Sequence, residues 1–230
     1  MKRRCMTARL AALVGAGLFS IAAVAFAQDD WRAPRVVTWV CSGCHGIDGV
    51  AQLPFIPRLA GQNATYLAQQ LTAFQAGPVP SSIEIPTWIW KPDPAPANAR
   101  TGRNAEIYMA GPAHALTQDE ATAAAGWYAA QKPQPGWSND RDPVLVEKGR
   151  ELYAKGDAAA GVIACHVCHG QRGEGLGDFP RLAGQNAPYV LNQFTAFVNG
   201  NRPLGSPMHG IAKDLTSEDA QALAAYLQSL

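Results

Sequence analysis

The chain has 230 residues, 19 Lys+Arg against 18 Asp+Glu, and a mean hydropathy of −0.10. That length holds one or two domains, and the balanced charge excludes the strongly basic surface that a nucleic-acid partner requires.

Residues 1–27 read as a secretory signal peptide. Lys2, Arg3 and Arg4 form its charged start, an apolar run follows from Leu10 to Ala25, and Ala25-Phe26-Ala27 fits the small-residue cleavage rule before Gln28. An uncleaved membrane anchor is the competing reading of the same run. Nothing after residue 28 is apolar enough to span a bilayer. Cleavage lowers Lys+Arg to 15 against 18 acidic residues, a net charge of −3. An acidic mature chain has no use for nucleic acid and can dock on a basic protein patch. Cys5, Met1 and Met6 leave with the signal, so four cysteines and two methionines remain.

The mature sequence is a duplicated unit of about 100 residues, a normal domain size. PRLAGQNA at 57–64 recurs at 180–187. Tyr66, Gln70 and Thr72-Ala73-Phe74 match Tyr189, Gln193 and Thr195-Ala196-Phe197. Upstream, CSGCHG at 41–46 matches CHVCHG at 165–170. Downstream, Met109 before Leu116-Thr117 matches Met208 before Leu215-Thr216. The expected organisation is a first domain over 28–131, a linker over 132–143 and a second domain over 144–230. The first copy carries an insertion at about 77–100 that is Pro-rich and includes Trp88 and Trp90. The linker, KPQPGWSNDRDP, is rich in Pro, Gly and Asp.

Both copies read as helical, and no alternating strands are expected. Leu67, Gln70, Leu71 and Phe74 follow helical spacing, as do Val190, Leu191, Phe194 and Phe197. Thr117 to Glu120 forms a capping box opening a helix through Tyr128, and Thr216 with Asp219 opens the last helix. Ahead of the second cysteine pair, Val146, Gly149, Leu152 and Tyr153 mark a helix face, with Gly149 permitting close approach of another helix.

C-x-x-C-H is the attachment signature of c-type haem. Two thiols three positions apart match the two vinyl groups on one porphyrin edge, and the next histidine can bond iron. Cys41, Cys44 and His45 form one set; Cys165, Cys168 and His169 form the other. A thioredoxin-like pair would need a βαβ context. A single zinc site shared by both pairs would have to bridge 124 residues. Plain disulfides leave the two histidines unexplained. Two covalently bound haem c groups are therefore expected. Met109 and Met208, one per copy, are the candidate sixth iron ligands; core filling is the plainer use of a methionine. His114 and His209 are rival ligands that do not occupy equivalent positions, and His166 reads as an exposed surface residue. The carbonyls of Pro57 and Pro180 stand where they could accept Nδ1–H of the ligand histidine, and Arg58 and Arg181 where they could offset propionate charge. An ordinary loop accounts for both pairs equally.

These motifs resemble the cytochrome c4 family over nearly all of 30–230, the insertion excepted. The resemblance implies an all-α fold of two tandem cytochrome c-like domains, with haem edges close enough for electrons to pass between them. It places the attaching cysteines at Cys41, Cys44, Cys165 and Cys168, the proximal ligands at His45 and His169, and the axial methionines at Met109 and Met208. It implies a periplasmic electron carrier in a respiratory chain, without catalytic residues. Its partners would be redox proteins, membrane complexes among them, with peripheral membrane association open. The alternatives are an electron-accepting subunit of a periplasmic dehydrogenase, and a dihaem enzyme with one open haem.

Overall fold

Four helices begin where a side chain takes up backbone N–H groups that the first turn leaves unpaired, those that follow Asn63, Thr117, Asp142 and Thr216. The computed structural model describes residues 33–76, 105–136, 142–202 and 207–230. The expected signal segment, the insertion with Trp88 and Trp90, and part of the linker lie outside the described residues.

In the first repeat a π-helical turn, Val37–Cys41, runs into α1, Ser42–His45. Helix α2 is Ala64–Gln75, capped by Asn63 Oδ1, which accepts from Tyr66 N. A second π-helical segment, Ala105–Ala110, leads into α3, Gly111–His114, and then α4, Gln118–Ala130. In the second repeat, α5 is Pro143–Lys155, α6 is His166–His169 and α7 is Ala187–Val198. Helices α8, Pro207–Ala212, and α9, Ser217–Ser229, complete it. Helix α5 opens with Pro143 just inside the cap that Asp142 provides. The expected capping boxes are both formed, by Thr117 with Glu120 and by Thr216 with Asp219. Among the described residues, strand pairing is limited to the isolated bridges Asp157–Val162 and Leu176–Phe179. The fold is all-α.

Each repeat has its own apolar core. Val36, Val37, Leu67, Ala124, Ala125 and Tyr128 form the first. Leu152, Tyr153, Val162, Val190, Leu223, Ala224 and Leu227 form the second. The second is organised by α5 crossing α9. A Cβ on Gly149 would lie 2.0 Å from Ala222 O, so only glycine lets the two backbones approach this closely.

The two copies of PRLAGQN face one another across the repeat interface. Gln185 Oε1 accepts from Arg58 N at 2.9 Å, and Gln185 Nε2 donates to Arg58 O at 3.0 Å. The reciprocal pair is formed by Gln62, whose Oε1 accepts from Arg181 N at 2.8 Å and whose Nε2 donates to Arg181 O at 2.9 Å. Asn186 Nδ2 donates to Ile56 O at 2.9 Å, and Asn63 Nδ2 donates to Gly177 O. Arg202 adds a tie from the second repeat to Tyr66 and Gln70 on α2. The glycine of each motif has positive φ, 65° at Gly61 and 76° at Gly184. Each also meets the segment between the repeats: a Cβ would lie 2.3 Å from Pro133 Cγ at Gly61 and 2.6 Å from Gln134 O at Gly184.

Candidate functional site

In both repeats the cysteine pair and the histidine share one helical turn. Cys41 precedes α1, which contains Cys44 and His45; Cys165 precedes α6, which contains Cys168 and His169. Each turn ends at a glycine of positive φ, Gly46 or Gly170. Two tyrosine hydroxyls brace these glycines, Tyr128 Oη donating to Gly46 O at 3.0 Å and Tyr153 Oη to Gly170 O at 2.7 Å. The two braces come from non-equivalent elements, the last helix of the first repeat and the first helix of the second. Sequence comparison of the copies could not pair them.

His45 and His169 are each 6% exposed. His45 Nδ1 lies 3.0 Å from Pro57 O, and His169 Nδ1 lies 2.9 Å from Pro180 O. A carbonyl can only accept, so Nδ1 carries the proton and Nε2 keeps its lone pair. Burial lowers the pKa of both imidazoles, against a raising effect of these two bonds. The rings are therefore neutral, oriented metal-ligating groups. The Pro57 and Pro180 carbonyls do what their spacing anticipates.

Among the described residues no disulfide joins Cys41 to Cys44 or Cys165 to Cys168. Burial pushes the Cys41 and Cys165 thiols up to about 11. Apolar side chains stand exposed in the sequence at and after each turn: Ile47, Leu53 and Phe55 in the first repeat, Val167, Leu176 and Phe179 in the second. The Phe179 ring meets His169 edge-on, with centroids 6.0 Å apart. Thiols, an oriented neutral imidazole and an apolar surround suit a covalently attached porphyrin.

Met109 and Met208 are both half-buried, each in a helical turn shortly before the closing helix of its repeat. The rival histidines brace backbone: His114 Nδ1 meets Ala110 O at 2.8 Å, and His209 Nδ1 meets Phe197 O at 2.7 Å. His166 corrects the expectation of an exposed residue. It is half-buried, with Nδ1 out of solvent and without a partner.

Comparison with known proteins follows the same division. The family model "Cytochrome c" matches residues 146–230. Cytochrome c-552 of Acidithiobacillus ferridurans is 36% identical, over 91% of this chain and 81% of that protein. Cytochrome c4 of Stutzerimonas stutzeri is 34% identical, over 91% of this chain and 93% of that protein. A thiosulfate dehydrogenase electron acceptor of Thiomonas intermedia (strain K12) is 32% identical, over 87% of this chain and 83% of that protein. The crystal structure of reduced recombinant cytochrome c4 from Pseudomonas stutzeri superposes with a TM-score of 0.70 at 33% identity, covering 84% of this chain and 94% of that one. With both repeats spanned by relatives of this kind, the chain belongs to the cytochrome c4 family of electron carriers, and its cofactors are covalently bound haem c.

Proposed function

We propose that the chain is an exported, periplasmic electron carrier with no substrate chemistry of its own. Cys41 and Cys44 hold the first haem, with His45 and Met109 on its iron. Cys165 and Cys168 hold the second, with His169 and Met208. The observation that carries this reading is the matched pair of hydrogen bonds, His45 Nδ1 to Pro57 O and His169 Nδ1 to Pro180 O. Each leaves an oriented Nε2 one residue beyond a cysteine.

The haem, when bound, supplies a one-electron couple. The chain's residues do the rest. The thiols would attach the porphyrin, the proline carbonyls fix the imidazole planes, and the methionine thioethers would favour the reduced state. With a histidine and a methionine to hold each iron, neither repeat would keep a position open for turnover. The 1–27 segment supports export, and redox proteins are the partners. The test is a haem count by pyridine haemochrome and intact mass. C41A/C44A should retain only the second haem, and C165A/C168A only the first. Two haems surviving in either variant would overturn the assignment.

A second reading is the dedicated electron acceptor of a dehydrogenase. Similarity to the Thiomonas thiosulfate dehydrogenase electron acceptor supports it. Stopped-flow reduction by a thiosulfate dehydrogenase with thiosulfate, compared with reduction by a quinol-oxidising complex, separates the two. Faster reduction by the dehydrogenase would put the second reading first.

A further inference from the structure

Two peptide groups of the fold are bonded on both sides. The carbonyl of Pro57 accepts from His45 Nδ1 at 3.0 Å, and the N–H of the same peptide, that of Arg58, donates to Gln185 Oε1 at 2.9 Å. In the second repeat the carbonyl of Pro180 accepts from His169 Nδ1 at 2.9 Å. The N–H of that peptide, that of Arg181, donates to Gln62 Oε1 at 2.8 Å. Each glutamine belongs to the opposite repeat. A single planar amide therefore stands between each site histidine and a side chain of the other half of the molecule.

The carbonyl and the N–H of one peptide share their electrons through resonance. An acceptor on the N–H draws charge towards the oxygen, so the carbonyl becomes a better acceptor in turn. The surroundings are dry. Gln62, Gln185 and Arg58 are each 7% exposed, and bonds polarise one another more strongly where water is absent. The glutamine amides are also held in one orientation. Gln185 Oε1 accepts a second bond from Asn186 N at 3.0 Å, and Gln62 Oε1 one from Asn63 N at 2.9 Å. Their Nε2 atoms donate to Arg58 O and Arg181 O. A backbone N–H only donates and a carbonyl only accepts, so the oxygen of each amide faces the N–H.

A plain joint between the repeats does not need this choice of partner. Other bonds across the interface go elsewhere: Asn63 Nδ2 to Gly177 O, and Arg202 to Tyr66 and Gln70. The glutamines select the one peptide whose far side holds a histidine, and they do so in both directions.

We propose that Gln185 tunes the haem of the first repeat and Gln62 that of the second, each through the peptide that holds the histidine of the opposite repeat. They are positioning residues, and the proposal rests on the attachment reading above. An acceptor on the N–H makes the proline carbonyl pull harder on Nδ1–H. The imidazole becomes a stronger donor, and a stronger donor favours ferric iron. Removing the glutamine amide therefore raises the midpoint potential of the haem in the other repeat.

The experiment is a spectroelectrochemical titration of the holoprotein and of Q185M and Q62M, which keep the length of the side chain without its amide. Haem is counted in each. Each potential is assigned by NMR, from haem resonances with NOE contacts to the cysteines of one repeat. Q185M should raise the potential of the first haem so that the reduced-to-oxidised ratio at fixed potential rises about threefold, about 28 mV for a one-electron couple. The second haem should stay where it was. Q62M should raise the second potential alone. In the reduced state the Nδ1–H resonance of His45 should move in Q185M, and that of His169 in Q62M. A general loosening of the interface has no such selectivity. If one variant fails to fold, the other carries the test. Unchanged potentials with two haems bound would make the glutamines a joint only and overturn the proposal. Movement of the haem in the glutamine's own repeat, or equal movement of both, would overturn it too. Fewer than two haems in the unsubstituted protein would instead sink the attachment reading, and the proposal with it.

Discussion

The two repeats hold their cysteine–histidine turns identically and scaffold them differently. In the second, α5 crosses α9 through Gly149, and Tyr153 on α5 braces Gly170. In the first, the described lead-in is the π-helical turn Val37–Cys41, and the brace on Gly46 comes from Tyr128 on α4. Trp127 on α4 adds a further donor to Ile47 O at 2.7 Å. The same division holds at the end of the aromatic-bearing helix. Gln75 Nε2 donates to Ala113 O and Leu116 O at 3.0 Å each. Its counterpart Val198 stands over a groove of about 370 Å³ lined also by Ala212 and Leu215. Both copies keep the proline carbonyl that orients the histidine and the glutamine that pairs with the opposite repeat. Where a residue only supports that geometry from behind, the copies have found separate solutions. The chemistry of the site tolerates less change than the packing that presents it.

The largest expected effect breaks the second scaffold alone. G149V forces a side chain into the α5–α9 crossing and should cost about 3 kcal/mol. G126A, on the exposed face of α4 with open space around it, should stabilise by about 0.5–1 kcal/mol. Denaturant unfolding checks both; a tolerated G149V would mean that the second repeat does not depend on this crossing. Next comes the interface that the copies share. Q185A leaves Arg58 N–H and C=O unpaired in a buried place and should cost about 2–3 kcal/mol, with Q62A close to it. A large loss for one and none for the other would break the claimed reciprocity.

A smaller effect sharpens the comparison. V198Q gives the second repeat the bridge of the first and should stabilise it by about 1 kcal/mol, as Q75A should weaken the first by a like amount. No gain in V198Q would mean that the groove does not collapse on the new side chain. The smallest effects are equal in the two repeats. T117A and T216A each remove a helix cap worth about 1 kcal/mol. The hydrogen bonds with Thr117 and Thr216 hold the Glu120 and Asp219 carboxyls below their usual range. Folding stability from these groups is therefore complete above the ordinary carboxylate pKa and is lost as pH falls through the lowered one. Thermal melts in acid and at neutral pH should show both wild-type boxes weakening, with T117A insensitive to this part of the titration and T216A keeping the part that Lys148 supplies to Asp219.

The sequence was informative where one residue type has one chemical use. C-x-x-C-H, the capping boxes, the Gly149 face and the proline carbonyls were readable because their meaning is local or nearly so. The facing of Gln62 on Arg181 and Gln185 on Arg58 was not. An identical motif in both copies is equally expected of two loops that never meet, and only the fold brings them together. The tyrosine braces escaped for the opposite reason. Tyr128 and Tyr153 do the same work from different helices, so no alignment of the copies pairs them. His166 was misjudged because a polar residue inside C-x-x-C suggests exposure, whereas its ring is half-buried with Nδ1 out of solvent.

The central claim is that two matched sites, each with histidine and methionine on iron, lie in one chain. The optical spectrum of the oxidised holoprotein, with haem counted on the same sample, tests it most directly. Two haems with two haems' worth of the methionine–iron charge-transfer band is the expected result. Two haems with half of that band and a high-spin signal would contradict it, removing Met109 from the first iron and opening that site to catalysis.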